Sequence, residues 1–241
     1  TSVSHSHNLF LNSSRKNSGY RASATYQDTE GIVKENYLKR LAGSISAYQY
    51  GMDGRLKVDM GISATVDKYR QPEVGYYGIF NYAMNQNPTV PVRDEKGEYT
   101  QIGGTNTQNP VEFNETYSSE QTRYRLLAYG KVEYEFLPGL RGVINGSYEY
   151  NSHQERYYQP SYAFVNQTNG YGRRNLGDYR NMQLEAYFNY DRTFADTHKF
   201  NAMGGYSYLN NRYEGFGAER RGFDSDQFLW NNLGAGSDFR I

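Results

Sequence analysis

Leu140-Arg141-Gly142-Val143-Ile144-Asn145-Gly146-Ser147-Tyr148-Glu149-Tyr150-Asn151 reads as one strand with two unlike faces. Leu140, Gly142, Ile144, Gly146, Tyr148 and Tyr150 share one parity. Arg141, Asn145, Ser147, Glu149 and Asn151 share the other, with Val143 its only apolar member. Side chains alternate across a strand with a period of two, so the stretch writes one apolar and one polar face. The apolar face ends in a pair of tyrosines. That is how a strand reads when one side meets lipid tails, the other meets water, and an aromatic girdle marks the headgroup level.

The pattern recurs outward from this stretch. Leu56, Val58, Met60, Ile62, Ala64 and Val66 oppose Lys57, Asp59, Ser63, Thr65 and Asp67. Leu184, Ala186, Phe188 and Tyr190 oppose Gln183, Glu185, Asn189 and Asp191, while Phe200, Ala202, Gly204, Tyr206 and Tyr208 oppose Asn201 and Ser207. On this parity Ile62, Ile144, Phe188 and Ala202 are expected to face lipid. Eight strand-like segments result, at about 6–14, 20–27, 38–50, 55–69, 123–136, 140–151, 181–194 and 199–213. A tilted membrane strand needs about 9–11 residues, and these segments match or exceed that.

The connections alternate in length. Residues 15–19, 51–54, 137–139 and 195–198 are short; Asp53-Gly54 and Pro138-Gly139 carry tight-turn chemistry. Residues 28–37, 70–122, 152–180 and 214–241 are long. Tight turns at one end and long loops at the other are the mark of an outer-membrane barrel. Within 70–122 the spacing predicts a short helix over 73–85 and a small hairpin over 90–100, around Asp94-Glu95-Lys96-Gly97.

Composition agrees. The hydrophobic fraction is 37% and the mean hydropathy −0.89, and no run approaches the roughly 20 apolar residues of a membrane helix. A barrel with a polar lumen and polar loops tolerates those values. Lysine and arginine total 26 and balance 26 acidic residues, so no basic surface points to nucleic acid. The absence of cysteine excludes disulfides and thiolate chemistry.

Particular residues then resemble a family. Tyr26-Gln27-Asp28-Thr29-Glu30-Gly31-Ile32-Val33, Asn109-Pro110-Val111, the block Arg125-Leu126-Leu127 to Tyr134-Glu135-Phe136-Leu137-Pro138-Gly139-Leu140, and Gly205-Tyr206-Ser207 are similar to SusC/RagA-type TonB-dependent transporters of Bacteroidetes. The resemblance implies an importer of glycans or other large nutrients, peptides included, in the outer membrane of a Gram-negative cell. It implies outer-membrane lipid, TonB and a SusD-like surface lipoprotein as partners. Barrels of such transporters have about 22 strands around a plug. Residues 1–241 therefore read as an all-β antiparallel meander, an internal part of one such barrel domain, with the plug and the remaining strands outside it. The competing readings are a self-contained eight-stranded barrel acting as anchor or adhesin, and a soluble carbohydrate-binding β-protein.

Chemistry-bearing motifs are sparse. No nucleophile elbow, phosphate loop or dinucleotide fingerprint is complete. His5 and His7 share a strand face, but two histidines fall short of a zinc site. Glu133, Glu135, Glu149, Glu185 and Asp191 read as a solvated lumen network with Lys57, Lys131 and Arg141, not as an acid/base pair. No catalytic residue, cofactor or metal is expected. The residues left as candidates for contact with a ligand or a lid protein are aromatic and lie in the long loops: Tyr76, Tyr77, Phe80, Tyr82, Tyr157, Tyr158, Tyr162 and Phe164. Flat rings beside Asn and Gln suit a sugar or a peptide. The same rings also suit packing of loop against loop.

Overall fold

The computed structural model describes residues 2–72, 78–101, 108–163, 169–195 and 197–240, with Phe239 and Arg240 described by their backbone alone. Nine strands form a single sheet in chain order: β1 Ser4–Arg15, β2 Ser18–Glu30, β3 Tyr37–Gly51, β4 Leu56–Arg70, β5 Ser118–Leu137, β6 Leu140–Gln159, β7 Tyr171–Phe194, β8 His198–Phe223 and β9 Gly236–Arg240. Every neighbouring pair is antiparallel. The first eight correspond to the eight segments read from the sequence. β5 to β8 run 20–26 residues and extend well past the alternating cores that the sequence marks. The ninth lies in the stretch 214–241, which was expected to be loop throughout. Its residues alternate too briefly to register as a strand, and pairing with the extended β8 supplies what local pattern does not.

The register puts the expected faces where the parity placed them. Ile144 lies opposite Val132 and Ala186, Ile62 opposite Ile45 and Ala128, and Phe188 opposite Gly142 and Gly204. Asn145 lies opposite Lys131 and Glu185. One face is thus apolar: a row through Leu11, Ala22, Ile45, Ile62, Ala128, Tyr148 and Met182 spans β1 to β7, and on β8 Phe200, Ala202, Gly204, Tyr206 and Tyr208 share that face. We call it the outward face. The inward face is a polar network. Arg40 holds Asp67 at 2.7 Å, and Arg141 reaches Glu133 at 3.4 Å and Asp191 at 3.3 Å. Asn145 donates to Glu185 at 3.2 Å, and Ser23 meets Ser44 at 2.8 Å. The carboxylates singled out in the sequence are held in this network and are not poised as a pair.

The outward tyrosines give the tilt. Tyr26 on β2 is in register with Val66 of β4, through Leu41. Tyr208 on β8 is in register with Met60, through Leu184, Gly146 and Gly130. A level girdle through both tyrosines therefore slips six residues over the six steps from β2 to β8, about one residue per strand. With a rise near 3.3 Å and a strand spacing near 4.8 Å, that slope is roughly 35°, the tilt that closed membrane barrels show. The sheet itself stays open: β1 pairs only with β2, and β9 only with β8.

Four tight connections lie at one end of the meander, between β1 and β2, β3 and β4, β5 and β6, and β7 and β8. Gly139 shows why the third needs its residue. Its φ is +88°, and a Cβ there would come within 2.2 Å of the Asp191 carbonyl oxygen. The backbone donor of Asp191 meets the Gly139 carbonyl at 2.8 Å, fastening the turn to β7. Gly139→Ala is expected to destabilise this end by about 1–2 kcal/mol from the left-handed backbone alone, more with the clash, read as a lower urea midpoint of the refolded protein.

Candidate functional site

The four long connections gather at the opposite end, and the largest builds a small core of its own. Helix α1 spans Ile79–Asn85, the part of the expected helix that falls within the described residues. The expected hairpin is present: Arg93 bridges Tyr99, the Asp94 amide donates to the Glu98 carbonyl at 2.9 Å, and the Asp94 carboxylate accepts from Lys96 and Glu98 amides. Helix α2, Pro110–Thr116, was not foreseen. Its signal was nonetheless written in the chain: Asn109 is an N-cap, Pro110 follows it, and Glu112 sits in the first turn. The Asn109 side-chain oxygen accepts from Val111 and Glu112 amides, while its nitrogen donates to the carbonyls of Val92 and Thr100. One asparagine thus caps the helix and ties it to the hairpin.

The rings of Tyr82, Phe113, Tyr117 and Tyr157 form a buried cluster, with Ile79 and Tyr171 packed against it. Tyr117 stacks on Tyr157 with centroids 5.6 Å apart, and Phe113 lies 5.3 Å from Tyr117. Arg70 covers the other side of Tyr117 at 4.5 Å and donates to the carbonyls of Asn114 and Tyr117. Tyr157 pairs with Ser119 and Arg173, on the inward parity. The loop between β4 and β5 therefore folds over the inward side of the sheet. Glu115 fastens its rim. It accepts from Lys34 at 2.6 Å and from Tyr99 at 2.7 Å, and these hydrogen bonds hold its carboxyl below the usual range.

A second knot joins the β6–β7 and β8–β9 loops. Asp226 accepts from the Tyr158 hydroxyl at 2.7 Å, the Ser161 amide at 2.9 Å and the Ser161 hydroxyl at 2.8 Å. Burial works to raise the Asp226 pKa, but these donors outweigh it and hold it below its ordinary value. Tyr158 is fully buried and lies edge-on to Phe223 at 5.3 Å; burial first, then the Asp226 bond, pushes its hydroxyl far up. After Phe223 a 3-10 turn over Leu229–Ala235 packs on β6, β7 and β8.

The eight candidate aromatics accordingly divide. Tyr82, Tyr157 and Tyr158 are buried and serve loop packing. Phe80 and Tyr162 stand exposed. Tyr76, Tyr77 and Phe164 lie outside the described residues. Sequence reading missed Phe113, Tyr117 and Asp226. Only the extension of β5 and β6 beyond the apolar core brings the first two against Tyr157. His5 and His7 share a face with ring centroids 5.3 Å apart, and no group of three or more His, Cys, Asp or Glu suited to a metal occurs among the described residues.

An open antiparallel sheet with one lipid-suited face, one polar face, tight turns at one end and folded loops at the other defines a segment of a membrane β-barrel wall. Comparison with known proteins agrees: the chain is similar to TonB-dependent receptors of the SusC/RagA type. It is 24% identical over 250 residues to the TonB-dependent receptor SusC of Bacteroides thetaiotaomicron, covering 93% of this chain and 24% of that protein. It is 22% identical over 209 residues to TonB-dependent receptor P39 of Formosa agariphila, covering 86% and 20%. The chain thus spans about a quarter or less of the length of these relatives. Among solved structures it superposes on the RagAB peptide transporter with a TM-score of 0.76 at 17% identity, covering 98% of this chain and 28% of that one. It also superposes on the ferripyoverdine receptor of the outer membrane of Pseudomonas aeruginosa with a TM-score of 0.60 at 13% identity, covering 98% and 31%. No family model matches.

Proposed function

We propose that these residues are part of the barrel wall of a TonB-dependent importer in the outer membrane of a Gram-negative bacterium of the Bacteroidetes. The observation that carries this reading is the outward apolar band, continuous over eight strands and bounded by tyrosines whose slope matches a tilted barrel. The open edges favour a barrel of about 22 strands over a self-contained eight-stranded anchor, because unpaired backbone at membrane depth costs several kcal/mol per group. The inward face supports a plug. Phe10, Leu127, Met203 and Leu209 share the inward parity and are exposed in this sheet, and a water-filled lumen gives such side chains no partner.

In this reading the β4–β5 loop, folded over the inward side, narrows the lumen mouth. Tyr82, Tyr157 and Tyr158 hold the loops in shape, and of the eight candidate aromatics the exposed Phe80 and Tyr162 are placed to meet a glycan, a peptide or a SusD-like lipoprotein. TonB acts through regions outside this stretch. The role is transport without catalysis.

The topology is testable in intact cells carrying the full-length protein. Single cysteines at the exposed loop positions Met84 and Tyr162 should react with a membrane-impermeant maleimide. Cysteines at Asp53 and Thr197, in the tight turns, should react only after the outer membrane is permeabilised. Labelling at Asp53 from outside would overturn the orientation and with it the importer.

A further inference from the structure

Above the girdle opposite signs pair on both faces, outward as Asp28 with Lys39 and Glu120 with Arg156, but among the described residues like charges meet only on the outward face, Lys39 opposite Lys68 among them. Inward, opposite signs face each other: Arg40 and Asp67, Asp67 and Arg123, Arg173 and Glu219. Outward, Arg156 of β6 lies directly opposite Arg174 of β7. Like charges directly opposite destabilise a sheet. Another outward pair, Arg180 and Arg212, is neutralised within the sheet, since Arg180 reaches Glu214 at 3.5 Å and Asp178 at 3.9 Å and Arg212 also meets Glu214. In the pair of Arg156 and Arg174 only Arg156 is neutralised, by Glu120 directly opposite it on β5. Arg156 bonds Glu120 and Gln154, while Arg174 is exposed and has no acidic partner among the described residues.

Beside this uncompensated cation is a groove of about 330 Å³. The 3-10 turn after β8 folds onto the outward face there and brings Trp230, the chain's one tryptophan, into the same groove as Leu176 and Phe216. Gln154 and Asn231 add amides to the lining. Glu155 and Asn175 also border it, but they have the inward parity, where the Glu155 carboxylate is held by Arg173 at 2.6 Å and Asn175 at 2.7 Å. An aromatic plate, amide donors and acceptors and a free guanidinium are the chemistry that holds a sugar ring bearing a phosphate or carboxylate. Its height is informative. The level line through Tyr26 and Tyr208 crosses β6 at Tyr148, and Arg156 is eight residues beyond it, so at about 3.3 Å per residue and a tilt near 35° it stands roughly 22 Å above the girdle. That is beyond the lipid tails and within the headgroup sugars of an outer leaflet.

We propose that the groove between Arg156, Arg174 and Trp230 binds an anionic saccharide from outside the barrel. The membrane's own glycolipid is the source its height favours; a free acidic glycan has the same chemistry. The inference rests on the barrel orientation proposed above, but the two fail separately. Inverted cysteine labelling sinks the orientation, whereas the binding test below can fail in a correctly oriented barrel.

The test uses the full-length protein purified in detergent. It measures binding of lipopolysaccharide from the same bacterium, of the delipidated core oligosaccharide prepared from it, and of the neutral oligosaccharide maltoheptaose. The core oligosaccharide should bind, and maltoheptaose at least ten-fold more weakly. Arg174→Glu should weaken lipopolysaccharide and core binding ten-fold or more, and Trp230→Ala should weaken both as well. Arg192→Gln, an outward cation at the tight-turn end, should change neither. Intact lipopolysaccharide binding far more tightly than its core identifies the anchored glycolipid; equal binding identifies a free saccharide. Arg174 is exposed, so its variant should fold, and a wild-type heat-shifted band on a gel verifies that. Equal binding by wild type and a folded Arg174→Glu protein, or equal binding of maltoheptaose, would overturn the proposal.

Discussion

Arginine in place of Ile144 is expected to cost about 2–4 kcal/mol of stability in a bilayer, the penalty for a cation at the lipid midplane of a barrel. Ile144 is more than half exposed and sits midway along the outward face of β6, between Leu140 and Tyr148. Arginine in place of the next residue, Asn145, is expected to cost little. Asn145 faces inward and already donates to Glu185, so a guanidinium there gains an ion pair in water. Ile62→Arg against Ser63→Arg repeats the comparison on β4. Urea unfolding of the full-length protein from lipid vesicles reads the difference. A one-residue slip of register exchanges the two faces everywhere, so an equal or larger cost at Asn145 would refute the assignment of faces along with the outward band.

The second large effect belongs to Asp226. Asp226→Ala leaves the fully buried Tyr158 hydroxyl and the Ser161 amide without their acceptor. Loss of hydrogen bonds to a charged acceptor and an orphaned buried donor together correspond to about 2–3 kcal/mol. The loss is local, because the strands below do not depend on these loops. Limited proteolysis of the membrane-embedded protein should therefore cleave within 160–170 or 224–235 about 30–150-fold faster, if cleavage follows the population of the opened loop. The pH dependence has a defined sign. The folded Asp226 pKa lies below its ordinary value, so its contribution is full above the unfolded carboxylate range. It is lost as pH falls through the lower folded value. Wild-type loops should loosen in acid, whereas the Asp226→Ala loops should show no such step from this group. An unchanged cleavage rate in the variant at neutral pH would show that the knot does not hold the two loops.

Both predictions depend on features that differ in how they were encoded. The faces were legible in the sequence because a strand between lipid and water must alternate, and Ile144 and Asn145 declare their sides by chemistry alone. The tight turns were legible for the same local reason: Asp53-Gly54 and Pro138-Gly139 carry the backbone geometry in their own residue types. The α2 helix was within reach too, through Asn109 and Pro110, had the cap been weighed as a helix start.

The loop end was different. Above the membrane the strands need no lipid-facing alternation, so β5 to β8 run on past the point where their pattern stops, held by neighbours instead of by composition. That extension, and the fold of the β4–β5 loop, decide that Tyr82 and Tyr157 pack a core while Phe80 stays exposed. It also sets Arg156 opposite Arg174 and places Trp230, 56 residues beyond Arg174, on the same groove. In sequence all of these are aromatic or basic residues in polar stretches. The sequence by itself determined an antiparallel membrane sheet and which side of it meets lipid, because those follow from period-two patterning and local turn chemistry. The tertiary structure decided which loop residues are buried, which are free and which charges lack a partner, because those depend on cross-strand register and on contacts between residues far apart in the chain.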